Sequence, residues 1–100
     1  KIVIVSSDKD LHQLIDDTVV QWSPGQKRII DKKGVIDKFG VSSCNFVTAR
    51  CFVGDSSDDI HGVKGVGFKS MSKWFPDLMS DVFIPFSSII EQAKELSKKL

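Results

Sequence analysis

The chain opens with Ile2-Val3-Ile4-Val5, a continuous apolar run of strand length that predicts a strand over Ile2 to Ser6 buried on both faces inside a parallel sheet. Ser7-Asp8-Lys9-Asp10 then makes the loop at its carboxyl end, where open α/β sheets bind ligands. Leu11, Leu14 and Ile15 follow with the spacing of a short amphipathic helix. Two short strand patterns, 19–22 and 27–30, flank Ser23-Pro24-Gly25-Gln26 and predict a hairpin. A helix is expected from Lys32 to Phe39, ended by Gly40. Ser43 to Val53 is strongly apolar and predicts a second helix capped by Ser42 or Ser43. A third is expected over 67–75, stopped by Pro76, with 77–85 irregular. Ser88-Ile89-Ile90-Glu91 has the form of a capping box for a last helix. Its buried stripe would be Phe86, Ile89, Ile90, Ala93, Leu96 and Leu100.

One hundred residues make one small domain or part of a larger one, and 41% hydrophobic with 27% charged residues is an ordinary globular balance. The net charge of +1 conceals a segregation. Acidic residues gather at 8–17 and 55–59, and Lys64, Lys69 and Lys73 come directly after. Cys44 and Cys51 are seven apart, about 10 Å along a helix, too far for a disulfide. Buried free thiols in a reducing compartment are expected, and no Cys/His spacing suits zinc. No apolar run has transmembrane length and no signal peptide is visible, so the expectation is a cytoplasmic or nucleoid-associated monomer with no membrane partner. A central-type strand at the very start, with no initiator methionine, predicts a fragment of a longer protein.

The most informative stretch is Gly54-Asp55-Ser56-Ser57-Asp58-Asp59-Ile60-His61-Gly62-Val63-Lys64-Gly65-Val66-Gly67. Asp55 and Asp58 are three apart just past a helix end, and Asp8 and Asp10 are two apart at a strand end. Such hard oxygen ligands suit Mg²⁺ or Mn²⁺, and two ions about 4 Å apart can drive phosphodiester hydrolysis. Taken alone, such a pair is more often structural than catalytic, Asp10 as a helix cap and Asp8 as a solvated loop residue. The glycines at 62, 65 and 67 permit close approach of a phosphate backbone, with Val63 and Val66 anchoring the turn in the core. Lys69 and Lys73 share a helix face beside Lys64. Helix, glycine hairpin and basic helix together make a helix-hairpin-helix. His12 is expected to pack or lie exposed, and Ser56 and Ser57 have no histidine or lysine partner at a diagnostic spacing, so no catalytic residue is named beyond the metal ligands. Trp22 and Trp74 are assigned to the core.

On these residues the chain resembles the structure-specific 5′-nuclease family: flap endonucleases, the 5′-nuclease domains of bacterial DNA polymerases, and phage 5′→3′ exonucleases and RNases H. The likeness runs from Ile2 to about Phe75. It rests on Ser7-Asp8-Lys9-Asp10-Leu11 with Gln13-Leu14, and on Gly54 to Gly67. Asp59 stands where the family usually has Asn, and His61 where it usually has Pro.

The resemblance implies a mostly helical α/β fold, a fragment of a larger PIN-like nuclease domain. Residues 1–42 would complete the nuclease core at the edge of a parallel sheet, and 43–100 would form the helix-hairpin-helix DNA-binding half. It implies that Asp8, Asp10, Asp55 and Asp58 hold the second of two divalent ions (Mg²⁺ or Mn²⁺). Gly62, Lys64, Gly65, Gly67, Lys69 and Lys73 would grip the phosphates of a duplex with a 5′ flap or end, with K⁺ on the hairpin carbonyls. The family's first metal site and its helical arch have no counterpart in these residues, so DNA binding is expected to persist at reduced strength and cleavage to be lost. Two other readings remain open. One is a haloacid-dehalogenase-type Mg²⁺ phosphatase with Asp8 as nucleophile and Asp10 as acid/base, although Leu11-His12 does not suit it. The other is a non-catalytic helix-hairpin-helix module.

Overall fold

The computed structural model describes residues 1–55 and 60–99. Strand β1 (Ile2–Val5) pairs in parallel with β2 (Val19–Ser23), which pairs antiparallel with β3 (Arg28–Ile30) in the order β1-β2-β3. The hairpin turn is closed by Lys27, whose φ of 55° is left-handed. A six-residue 3-10 segment, Lys9–Leu14, replaces the expected amphipathic helix.

β1 is the edge of this sheet, and that overturns the expectation of a strand buried on both faces. Ile2, Val3 and Val5 are 59%, 51% and 68% exposed, and among the described residues β1 pairs with β2 alone.

Helix α1 (Lys32–Phe39) has the predicted bounds. Asp31 caps it by accepting from Gly34 N at 2.8 Å, and Gly40 ends it at φ 75°. Gly40 has a second constraint, since a Cβ there would strike Ser72. The predicted 43–53 helix begins as a 3-10 turn, Ser43–Asn45, and continues as α2 (Phe46–Val53). Neither serine caps it. Ser42 Oγ instead donates toward the carbonyls of Leu78 (3.0 Å) and Ser80 (2.7 Å), and Ser43 Oγ donates to Ile15 O at 2.6 Å.

The short strands β4 (Gly54–Asp55) and β5 (Ile60–His61) pair antiparallel beyond α2, and α3 (Phe68–Trp74) follows. Pro76 starts a 3-10 turn, Pro76–Met79, inside the stretch expected to be irregular. Helix α4 (Phe86–Lys99) begins two residues before the predicted cap. Ser88 and Glu91 lie inside it, and Glu91 pairs with Lys94 instead of closing a box. Of its expected stripe only Ile89 is fully buried, with Ala93 against the core; Phe86 and Leu96 are 47% and 39% exposed, and Leu100 lies outside the described residues.

One core joins the sheet to the helices: Ile15, Ile30, Val35, Val41, Phe46, Ala49, Met71, Phe75, Leu78 and Ile89. Phe39, Phe46 and Phe68 meet ring to ring at its centre, with centroids 4.9 to 5.3 Å apart. Trp74 is not in this core, being 47% exposed. Both cysteines are free, as expected, but Cys51 is exposed and Cys44 half-buried rather than buried. Among the described residues no helix is long and apolar enough to cross a membrane.

Candidate nucleic-acid and metal site

The Asp8–Asp10 loop leaves the carboxyl end of β1 and is held tightly for so short a segment. Asp8, not Asp10, is the cap: its Oδ1 accepts from Asp10 N at 2.9 Å, and Ser6 Oγ accepts from Asp8 N at 3.0 Å. Ser7 Oγ accepts from Gly25 N at 2.8 Å, tying the loop to the β2–β3 turn. Behind it, the wholly buried Gln21 side chain on β2 donates from Nε2 to Ser6 O (2.8 Å) and Asp8 O (2.9 Å). Both acceptors are carbonyls, so the amide orientation is fixed and Oε1 must face His12. His12 Nδ1 therefore donates to Gln21 Oε1, at 2.8 Å. Of the two positions expected for His12, the packed one is realised. It is 2% exposed, against Phe39 and Phe46, and burial among those rings pushes its pKa below the ordinary value.

Asp10 reaches across to α2, where its Oδ1 lies 3.1 Å from Arg50 Nη1. Arg50 is not among the residues expected from the sequence, although it is the one charged residue on α2. Its guanidinium also sits 5.7 Å over the Phe46 ring. Four residues after Arg50 the chain enters Gly54–Asp55, so this ion pair ties the last turn of α2 to the Asp8–Asp10 loop. Asp55 is placed on β4, opposite Ile60. Asp58 and Asp59 lie outside the described residues. Among the described residues no three His, Cys, Asp or Glu side chains group closely enough to hold a metal. The donors that are present fit a hard divalent ion. They are carboxylates, and Asp10 already holds a cationic partner.

The hairpin packs back on α2. Val63 N donates to Phe52 O at 2.7 Å, and a Cβ at Gly62 would collide with the carbonyls of Val53 and Phe52. Gly62 is thus required by close approach, whereas Gly65 is required by its φ of 80° and has open space around it. Gly67 also faces open space. The valines divide. Val66 packs on the core, but the Val63 side chain is 55% exposed, and Val63 holds the hairpin through its backbone instead. Lys64, Lys69 and Lys73 are all exposed. Beyond the site, Lys32 Nζ bridges Asp17 (3.0 Å) and Asp81 (2.5 Å), which raises its pKa.

No family model matches the chain. Curated relatives do. A 5′-3′ exonuclease of Aquifex aeolicus is 39% identical over 70 residues, 70% of this chain and 24% of that protein. The flap endonuclease Xni of Pseudoalteromonas translucida is 35% identical over 68 residues, covering 68% and 26%. The thermostable DNA polymerase I of Thermus thermophilus is 36% identical over 73 residues, covering 73% and 9%. This chain therefore spans about a quarter of the length of the nuclease relatives. Among solved structures, phage T5 5′-exonuclease with bound zinc ions has the same fold, with a TM-score of 0.75 at 24% identity over 90% of this chain and 32% of that one. A phage T5 flap endonuclease complexed with DNA and metal ions gives 0.66 at 21% identity, over 97% and 38%. Sequence relatives and fold agree, and the chain belongs to the 5′-3′ exonuclease and flap endonuclease family, of which it carries one portion.

Proposed function

We propose that this chain is part of a divalent-metal-dependent 5′→3′ exonuclease or flap endonuclease that acts on DNA and grips the duplex backbone through its glycine hairpin. The observation that carries the reading is the Arg50–Asp10 ion pair. It brings the loop at the end of β1, which carries Asp8 and Asp10, against α2, whose last residues lead into Gly54–Asp55. Asp8, Asp10, Asp55 and Asp58 are the proposed ligands. A carboxylate has two oxygens and several lone pairs, so the cap made by Asp8 does not exhaust it. Bound Mg²⁺ or Mn²⁺ would supply charge stabilisation and an activated water for phosphodiester hydrolysis. Support for divalent metal comes from phage T5 relatives of the same fold solved with zinc or other metal ions.

On the DNA side, a Cβ at Gly65 or Gly67 would meet no atom within 4 Å, and Lys64, Lys69 and Lys73, all exposed, flank that open space. That combination suits phosphate oxygens and ignores bases. A K⁺ ion on the hairpin carbonyls is part of the same reading. Family membership replaces the phosphatase alternative. The non-catalytic module becomes an outcome of the test.

The test is a Mn²⁺ titration of the chain followed by paramagnetic broadening of backbone amide signals. Broadening that begins at Asp8, Asp10, Asp55 and Asp58, and is lost in the Asp10→Asn/Asp58→Asn double variant, is expected. Broadening elsewhere, or none, would leave a DNA-binding module whose carboxylates hold no metal.

A further inference from the structure

Gln21 is wholly buried on the central strand, and its side chain makes three polar contacts. Two of them are to backbone carbonyls 15 and 13 residues away, at the two ends of the Ser6–Asp8 segment. A buried side-chain amide is costly to place unless each polar atom finds a partner, and here each does. The third contact, from His12 Nδ1, orients the amide. His12 lies on the 3-10 turn that Asp8 caps, so the network closes on the loop it supports.

We propose that Gln21, oriented by His12, is a positioning residue for the Asp8 and Asp10 carboxylates. It fixes the backbone from which both project, and so sets the geometry in which they meet a divalent ion. The inference rests on the metal reading given above. A Met or Leu at position 21 would fill the same space and keep β2 paired, but the Ser6 and Asp8 carbonyls would lose the buried amide that holds them, leaving Asp8 O only its 3.2 Å bond from Leu11 N.

The chain carries its own control. Asn45 is a second wholly buried amide. It donates to the carbonyls of Leu78, Ser80 and Val82 and accepts from Ile84 N at 2.6 Å. It staples the 78–84 segment far along the chain from Asp8. A merely structural role for Gln21 predicts that loss of either amide acts alike.

The experiment compares Gln21→Met, Gln21→Glu and Asn45→Leu by Mn²⁺ titration and by amide hydrogen exchange. Gln21→Glu keeps the side-chain shape and an acceptor for His12 but sets carboxylate oxygens against the two carbonyls. Both Gln21 variants are expected to lose about tenfold or more in Mn²⁺ affinity, the usual effect of removing support from a ligand. Asn45→Leu should lower the melting temperature and leave Mn²⁺ affinity unchanged. In the Gln21 variants the Asp10 amide should also exchange faster while Val20 and Trp22 stay protected. If the unmutated chain binds no Mn²⁺, the metal reading fails, and the exchange result alone decides the positioning role. If the Gln21 variants do not fold, the unmutated chain decides it: the Gln21 side-chain amide protons must be protected and show Overhauser contacts to Asp8. Unprotected Gln21 protons, unchanged Asp10 exchange, or an equal loss of Mn²⁺ affinity in Asn45→Leu would each overturn the proposal.

Discussion

Asp10 Oδ1 and Arg50 Nη1 stand 3.1 Å apart, joining the loop after β1 to the helix that leads into the acidic loop. The Arg50 side chain is mostly buried and that of Asp10 is 42% exposed, so the pair is only partly screened by solvent. A divalent ion at Asp10 must compete with the guanidinium. Arg50→Gln is therefore expected to raise Mn²⁺ affinity about threefold or more by removing a neighbouring positive charge. The same change should lower stability by about 1–2 kcal/mol, read from denaturant unfolding. A fall in Mn²⁺ affinity would mean that Arg50 supports the carboxylates more than it opposes the ion.

The two hairpin glycines fail differently when a methyl is added. Gly62→Ala pushes the hairpin off the carbonyls of Val53 and Phe52 and breaks the Val63–Phe52 bond. A cost of about 2–3 kcal/mol is expected, as for overpacking against backbone. Gly65→Ala meets no atom and pays only for its left-handed φ, about 1 kcal/mol. Equal losses in thermal or urea unfolding would contradict this packing.

Asp16 gives the chain an acid-dependent bond. Its carboxylate accepts from Thr18 N (2.8 Å), Thr18 Oγ1 (3.0 Å) and Val19 N (2.8 Å), and these bonds hold its pKa below the ordinary carboxylate value. A lowered folded-state pKa stabilises the fold above the unfolded value near 4, and that contribution disappears as pH falls through the folded value. The stability of Asp16→Asn should accordingly fall less steeply below about pH 4 than that of the unmutated chain. A carbon-detected titration showing an ordinary Asp16 pKa would remove the basis for this prediction.

What could be read ahead of the structure was local. The end of helix α1 was legible because Gly40 carries the stop in its own chemistry, while the cap made by Asp31 emerged only from the structure. The α4 start was misread because Ser88 and Glu91 have the spacing of a capping box, yet the helix begins at Phe86, directly after Pro85. Burial was less legible than secondary structure. The apolar run of β1 does not reveal that it stands at a sheet edge, and neither Trp74 nor Val63 announces that it faces solvent.

At the site, the glycine hairpin and the carboxylate spacings were visible as motifs. The groups that set their geometry were not. Gln21 finds its partners 9 to 15 residues away, and Arg50 finds Asp10 across forty positions. Only the fold brings them together.

The most direct measurement is fluorescence anisotropy of this chain on a short 5′-flap duplex, in a salt series, beside Gly65→Asp. Gly65→Asp puts a side chain at a left-handed φ and an anion where phosphate is proposed to sit. The account predicts binding that ignores base sequence and weakens with salt. The log–log slope should be about −2 to −3 if Lys64, Lys69 and Lys73 each neutralise a phosphate, and Gly65→Asp should abolish binding. Binding that is insensitive to salt, or that survives Gly65→Asp unchanged, would contradict the hairpin as the phosphate grip.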